Sequence, residues 1–123
     1  HKDHYGEWDF DVNLKPINGF PMYYKWALAI IDGQKSLCNS NIKVPVLLMH
    51  SSKSIKPKEL NPEVLACDSV LNIEDMKRIG PKLGNNVQII EIKNGMHDLV
   101  LSKKEVRDEV FNKMFSWLQN SNG

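Results

Sequence analysis

Cysteine is scarce in this 123-residue chain, and the two present, Cys38 and Cys67, form neither a CxxC unit nor any metal-ligand spacing. Two isolated cysteines fit a reducing compartment, so the cytoplasm is the expected location, with one disulfide between them left open. No apolar run approaches the ~20 residues that span a bilayer, so no integral membrane segment is expected. Signal-peptide and lipidation patterns are missing too. Charge of one sign is not in excess: 16 Lys and Arg face 15 Asp and Glu, for a net charge of +1. Phosphate binding needs a concentrated basic surplus, so nucleic acid is not an expected partner. The lysines (Lys53, Lys56 and Lys58, then Lys77, Lys82, Lys103 and Lys104) are dispersed and read as solvated surface. No Gly-x-Ser-x-Gly sequence occurs anywhere in the chain.

What is there is an ordinary globular composition, 41% hydrophobic and 25% charged. At this length it is one domain or a piece of one, with a modest core. The chain opens without Met, in the run His1 to His4, which points to a start further upstream. His1, Asp3 and His4 carry metal-binding groups, but at a terminus they read as a purification remnant, and no metal is expected.

Trp8, Phe10, Val12 and Leu14 alternate with polar residues and suggest a short extended segment. Pro21 suits a first helical position, and Tyr23, Trp26, Ala27, Ile30 and Ile31 follow at helical spacing, predicting a helix over about 21–36. Tyr23, Tyr24 and Trp26 are read as core packing rather than as the wall of an acyl pocket. Val44 to Met49 is continuously apolar, the pattern of a strand buried on both faces, with Pro45 at its beginning. Residues 51–67 form a polar excursion. Asn72 is a plausible N-cap for a helix carrying Ile73, Met76, Ile79 and Leu83, interrupted at Gly80-Pro81 and closed by Gly84. Val87 to Ile92 is the second strand. Ser102-Lys103-Lys104-Glu105 reads as a capping box, and Val106, Val110, Phe111, Met114, Trp117 and Leu118 form an apolar stripe behind it to about 119.

A strand, a helix and a second strand imply a parallel pair with a right-handed crossover. Two parallel strands need cover on both faces and leave an open edge. The expected class is therefore α/β with an incomplete sheet: a fragment of a larger domain, or one completed by another chain. Self-association, or pairing with a missing N-terminal half through the exposed edge, follows.

In parallel sheets functional groups gather at the carboxyl ends of the strands. Asp68, in the loop after the first strand, and His97, just after the second, fall on that rim. A neutral His takes a proton from a hydroxyl efficiently when a carboxylate holds its other nitrogen. The plainer roles are a surface or capping histidine for His97 and a turn former or helix cap for Asp68. Asp75 is the fallback acid, one turn into the predicted helix. Asp98 cannot readily fold back onto the neighbouring imidazole. His50 reads as a structural histidine rather than a pocket-lining one. Ser51, Ser52 and Ser54 lack the glycines that a strained nucleophile turn requires.

Val44-Pro45-Val46-Leu47-Leu48-Met49, Asp68-Ser69-Val70-Leu71-Asn72 and Val87 to Asp98, with its Gly95-Met96-His97-Asp98, resemble the C-terminal part of α/β-hydrolases. The nearest likeness is to the lysophospholipase and monoacylglycerol-lipase-like branch, also described as serine aminopeptidase-like. It covers roughly residues 42–119. The resemblance implies that 42–123 is a C-terminal α/β-hydrolase segment carrying the acid and base loops. It implies that 1–41, with Gly6-Glu7-Trp8 and the helix of Trp26, ends a lid region. In that family the order is nucleophile, acid, base, which places the acid on Asp68 and the base on His97. The implied enzyme is a serine hydrolase acting on a small or lipid-like ester, without cofactor. The family's acid usually follows its strand closely, whereas here 51–67 intervene. With no serine elbow, the segment alone is expected to be inactive. A reading of another class keeps the same fold as a non-catalytic binding or assembly module.

Overall fold

Two six-residue strands hold the middle of the fold. β1 (Val46–Ser51) and β2 (Val87–Ile92) pair in parallel, in register from Val46 opposite Val87 to Ser51 opposite Ile92. The computed structural model describes Lys2 and residues 6–59 and 61–121. The candidate metal ligands His1, Asp3 and His4 lie outside the described residues. Among these residues three α-helices accompany the strands: α1 (Tyr24–Leu37) before β1, α2 (Ile73–Ile79) between the strands, and α3 (Lys104–Ser121) after β2. This is a small α/β arrangement with a two-stranded parallel sheet. No helix among the described residues is long and apolar enough to cross a membrane.

β1 starts two residues later than its apolar run suggests. Pro45 has no N–H to donate, and the ladder opens at Val46, whose N–H donates to Asn86 O at 2.9 Å. The expectation of burial on both faces is met only at the strand's end. His50 and Ser51 are buried, but Val46 to Met49 are only half-covered, and nothing pairs with the other edge of β1 among the described residues.

α2 begins as its sequence indicates: the Asn72 side chain accepts from Glu74 N–H at 3.1 Å. Glu74 and Asp75 in its first turn, and Lys77 and Arg78 in its last, complement the helix dipole. The helix ends at Gly80-Pro81 and passes into a 3₁₀ turn over Gly80–Lys82. Gly80 permits close packing on the sheet, since a Cβ there would stand 2.5 Å from Leu48 Cδ2 and 3.0 Å from Ile89 Cδ1.

α1 departs further from expectation. It starts at Tyr24, after an extended Tyr23, so Pro21 lies outside it. None of its residues is buried, and Tyr23, Tyr24 and Trp26 are exposed rather than packed in a core. Among the described residues the buried apolar side chains are few: Cys67, Ile73, Ile92 and Val110. They lie after β1, on α2, at the end of β2 and on α3.

Candidate functional site

The two strands end side by side at Ser51 and Ile92, and the loops that leave them are tied together. Ser52 N–H donates to Ile92 O at 2.9 Å, continuing the ladder by one step. The buried Ser51 Oγ donates to Gly95 O at 2.7 Å, joining the β1 loop to the β2 loop. His50, also buried, turns its Nδ1–H onto Ser51 O at 2.6 Å, a structural use of this side chain.

The excursion after β1 returns to where it began. Asp68 N–H donates to Lys53 O and Ile55 N–H donates to Asp68 O, both at 2.9 Å, which makes a parallel bridge between Ser54 and Asp68. Within the excursion, Asn61 caps the 3₁₀ turn Pro62–Ala66 and Lys53 pairs with Glu63 at 2.9 Å. Ser54 Oγ donates to Leu71 O and accepts from Ile73 N–H, both at 2.8 Å, locking the returning chain onto the start of α2. Residues 51–67 are thus a closed detour, and Asp68 stands beside the carboxyl end of β1 despite them.

β2 runs into a tight turn in which Asn94 takes a left-handed φ of 58° and Gly95 N–H donates to Ile92 O at 3.3 Å. A Cβ on Gly95 would meet Leu99 Cδ2 at 2.5 Å, so only glycine fits without displacement. Ser102 Oγ accepts from Met96 N–H at 3.0 Å and fixes the residue next to His97. The Ser102 hydroxyl thus serves the loop, whereas its sequence position suggests a helix cap; α3 itself begins at Lys104.

These two loops bring Asp68 and His97 into contact: His97 Nδ1 and Asp68 Oδ2 are 3.0 Å apart. The other carboxylate oxygen, Oδ1, accepts from Val70 and Leu71 N–H, each at 2.8 Å. The Asp68 side chain is only 4% exposed, whereas His97 is 42% exposed. Burial raises the Asp68 pKa, but the Leu71 N–H, the His97 imidazole and the Val70 N–H together outweigh it and hold the carboxyl below its ordinary value. An ionised carboxylate on Nδ1 favours the tautomer with its proton there and leaves Nε2 basic, the arrangement suited to accepting a proton from an incoming hydroxyl.

Asp75 and Asp98 stand apart from His97 Nδ1. Asp75 lies on α2, paired with Arg78 at 2.6 Å. Asp98 is exposed, and its carbonyl receives Leu101 N–H. Ser51 and Ser54 are committed to backbone groups. No group of three or more His, Cys, Asp or Glu among the described residues could hold a metal ion. Two clefts, of about 610 Å³ between β2 and α3 and about 450 Å³ between α1, β1 and α2, contain neither Asp68 nor His97.

Sequence reasoning singles out the pair but misses the polar clamps around it. Ser51, Ser54 and Ser102 are short hydroxyl residues at strand ends and loop closures, where such side chains commonly satisfy backbone groups. That position was the available signal.

No family model matches the chain, and neither a curated protein nor a solved structure matches it.

Proposed function

We propose that this chain is the C-terminal part of a serine hydrolase of α/β-hydrolase fold that cleaves a small or lipid-like carboxylic ester. In it Asp68 acts as the acid and His97 as the base. The observation that carries the reading is the contact between a buried, doubly N–H-capped carboxylate and an accessible imidazole at the carboxyl ends of adjacent parallel strands.

The reaction follows from the arrangement. A serine hydroxyl, supplied by sequence outside this chain, would present its proton to His97 Nε2 as its oxygen attacks the ester carbonyl. Asp68 would stabilise the imidazolium and keep the ring oriented. His97 would then protonate the leaving alcohol and activate a water against the acyl-enzyme. This chain has no Gly-x-Ser-x-Gly turn to present a nucleophile for that step, and the reading makes it inactive alone. The open edge of β1 is where the serine-bearing half would continue the sheet.

A fluorophosphonate probe tests the reading on the protein that carries this segment together with its preceding sequence. Labelling of a serine that is lost in His97→Ala is expected. Undiminished labelling of that variant would remove His97 from the mechanism.

The exposed apolar residues of α1 favour a second reading, an assembly module of the same fold without catalysis. The reading frame directly upstream separates the two, since an in-frame Gly-x-Ser-x-Gly after an apolar strand belongs to the hydrolase alone.

A further inference from the structure

The loop that carries His97 is closed at its far end by an arginine from α3. The Arg107 side chain is only 18% exposed, and its Nη1 donates to Ser102 O at 3.1 Å. Ser102 in turn receives Met96 N–H on its hydroxyl, one residue from His97. Two residues far upstream hold the guanidinium from its other sides. Glu7 Oε2 lies 3.4 Å from Nη1, and Arg107 Cζ stands 4.7 Å over the Trp8 ring. Glu7 Oε1 also accepts from Lys104 N–H at 3.4 Å.

A guanidinium is planar, with its donors in the plane and its faces free to stack. Here its edge is used by Glu7 and Ser102 and its face by Trp8, so three weak contacts together fix one orientation.

We propose that Arg107 is a positioning residue for the His97 loop and that Glu7 and Trp8 form the latch that keeps it in place, so that movement of the upstream segment regulates how His97 is presented. The chain of contacts runs from Glu7 and Trp8 through Arg107 and Ser102 to Met96 and His97. Its catalytic meaning rests on the hydrolase reading; its positional content does not.

The test follows the imidazole itself in the full-length protein. Histidine-labelled NMR reads the tautomer and environment of His97, with His50 on β1 as the internal report of an intact fold. Arg107→Leu, Glu7→Gln and Trp8→Leu are each expected to shift the His97 resonances and reduce the share of its Nδ1–H tautomer. Arg107→Lys, which keeps the charge but not the planar fork, should fall between Arg107→Leu and the parent. Glu7 and Trp8 are exposed, so their variants keep the fold even where Arg107→Leu disturbs His50. If neither the Glu7 nor the Trp8 variant moves His97, the latch is refuted. If Arg107→Leu leaves His97 unchanged with His50 in place, the positioning role falls. In the same protein, fluorophosphonate labelling should slow about tenfold in Arg107→Leu, as expected for a displaced base. Absence of labelling in the parent would defeat the hydrolase reading and leave the NMR outcome standing on its own.

Discussion

Ser54 and Asp68 are bridge partners although residues 55–67 separate them, and this pairing puts Asp68 at the carboxyl end of β1. The carboxylate is then aimed by the chain that follows it. Val70 and Leu71 N–H groups take one oxygen, so the other is left pointing at His97. The detour leaves Asp68 beside the end of β1 because its two ends are hydrogen-bonded together.

Asp68→Asn separates the roles of the two oxygens. The amide oxygen can still accept from Val70 and Leu71 N–H, so the loop should keep its shape. The amide nitrogen would then face His97 Nδ1 as a donor and force the opposite tautomer. In the intact protein, fluorophosphonate labelling is expected to fall by about 10³–10⁴, the scale known for the equivalent change in a serine protease triad. Circular dichroism should be unchanged. Labelling within tenfold of the parent would exclude Asp68 as the acid.

Acid stability gives an independent measure of the same group. The folded-state pKa of Asp68 lies below its unfolded value, so the folded protein binds fewer protons here. The stabilisation is therefore complete above the ordinary carboxylate range, near pH 4, and is lost as pH falls through the lowered value. Urea midpoints from pH 7 to 2 should fall more steeply for the parent than for Asp68→Asn. The variant should be weaker at pH 7 by about 1–3 kcal/mol, the cost of disturbing a buried charged hydrogen bond, and the curves should converge in acid. Parallel curves would mean that the carboxylate is not ionised in the fold.

Elements with a local signal are legible in the sequence. Asn72 caps α2, Gly80-Pro81 ends it, and the run from Val87 to Ile92 is β2 with the boundaries its residues imply. Asp68 and His97 are nameable because each follows a strand in order. That order also leads one to expect them on one rim, but the bonds that bring them there, the Ser54 bridge and the Ser51–Gly95 bond, join distant positions and leave no local signal. α1 shows the converse failure. Its helical spacing is real, but spacing states only that a face is apolar, and here none of that face is buried among the described residues.

Ser51→Ala should weaken the junction between the loops. Its hydroxyl is the donor to Gly95 O, and leaving a buried carbonyl unpaired costs about 1–3 kcal/mol. Ser52→Ala, at a less buried position, should stay within about 0.5 kcal/mol of the parent. Neither is expected to abolish labelling, because neither serine is the proposed nucleophile. Complete loss in Ser51→Ala with the fold retained would contradict that.

Gly95→Ala probes the turn that presents His97. The new methyl would overlap Leu99 Cδ2, and such overpacking typically costs 1–3 kcal/mol. Asn94→Gly, at a left-handed φ of 58°, should be tolerated, whereas Asn94→Val should cost about 1–2 kcal/mol. Thermal denaturation ranks the three. A destabilising Asn94→Gly with a neutral Gly95→Ala would show the turn to be built differently.

The exposure of α1 makes a prediction about association. Trp26 and Ile30 are exposed, at 57% and 44%, so replacing either by Lys removes no core contact. Stability should therefore change by no more than about 0.5 kcal/mol. The parent chain, with an uncharged β1 edge and an uncovered apolar helix, should self-associate as concentration rises, since both features invite pairing. Sedimentation velocity should then show the Lys variants shifted toward monomer at equal concentration. The joint result discriminates, because a core helix would lose stability on acquiring a lysine, while a docking face loses only its partner. A parent that remains monomeric at high concentration would show that neither feature recruits a second copy.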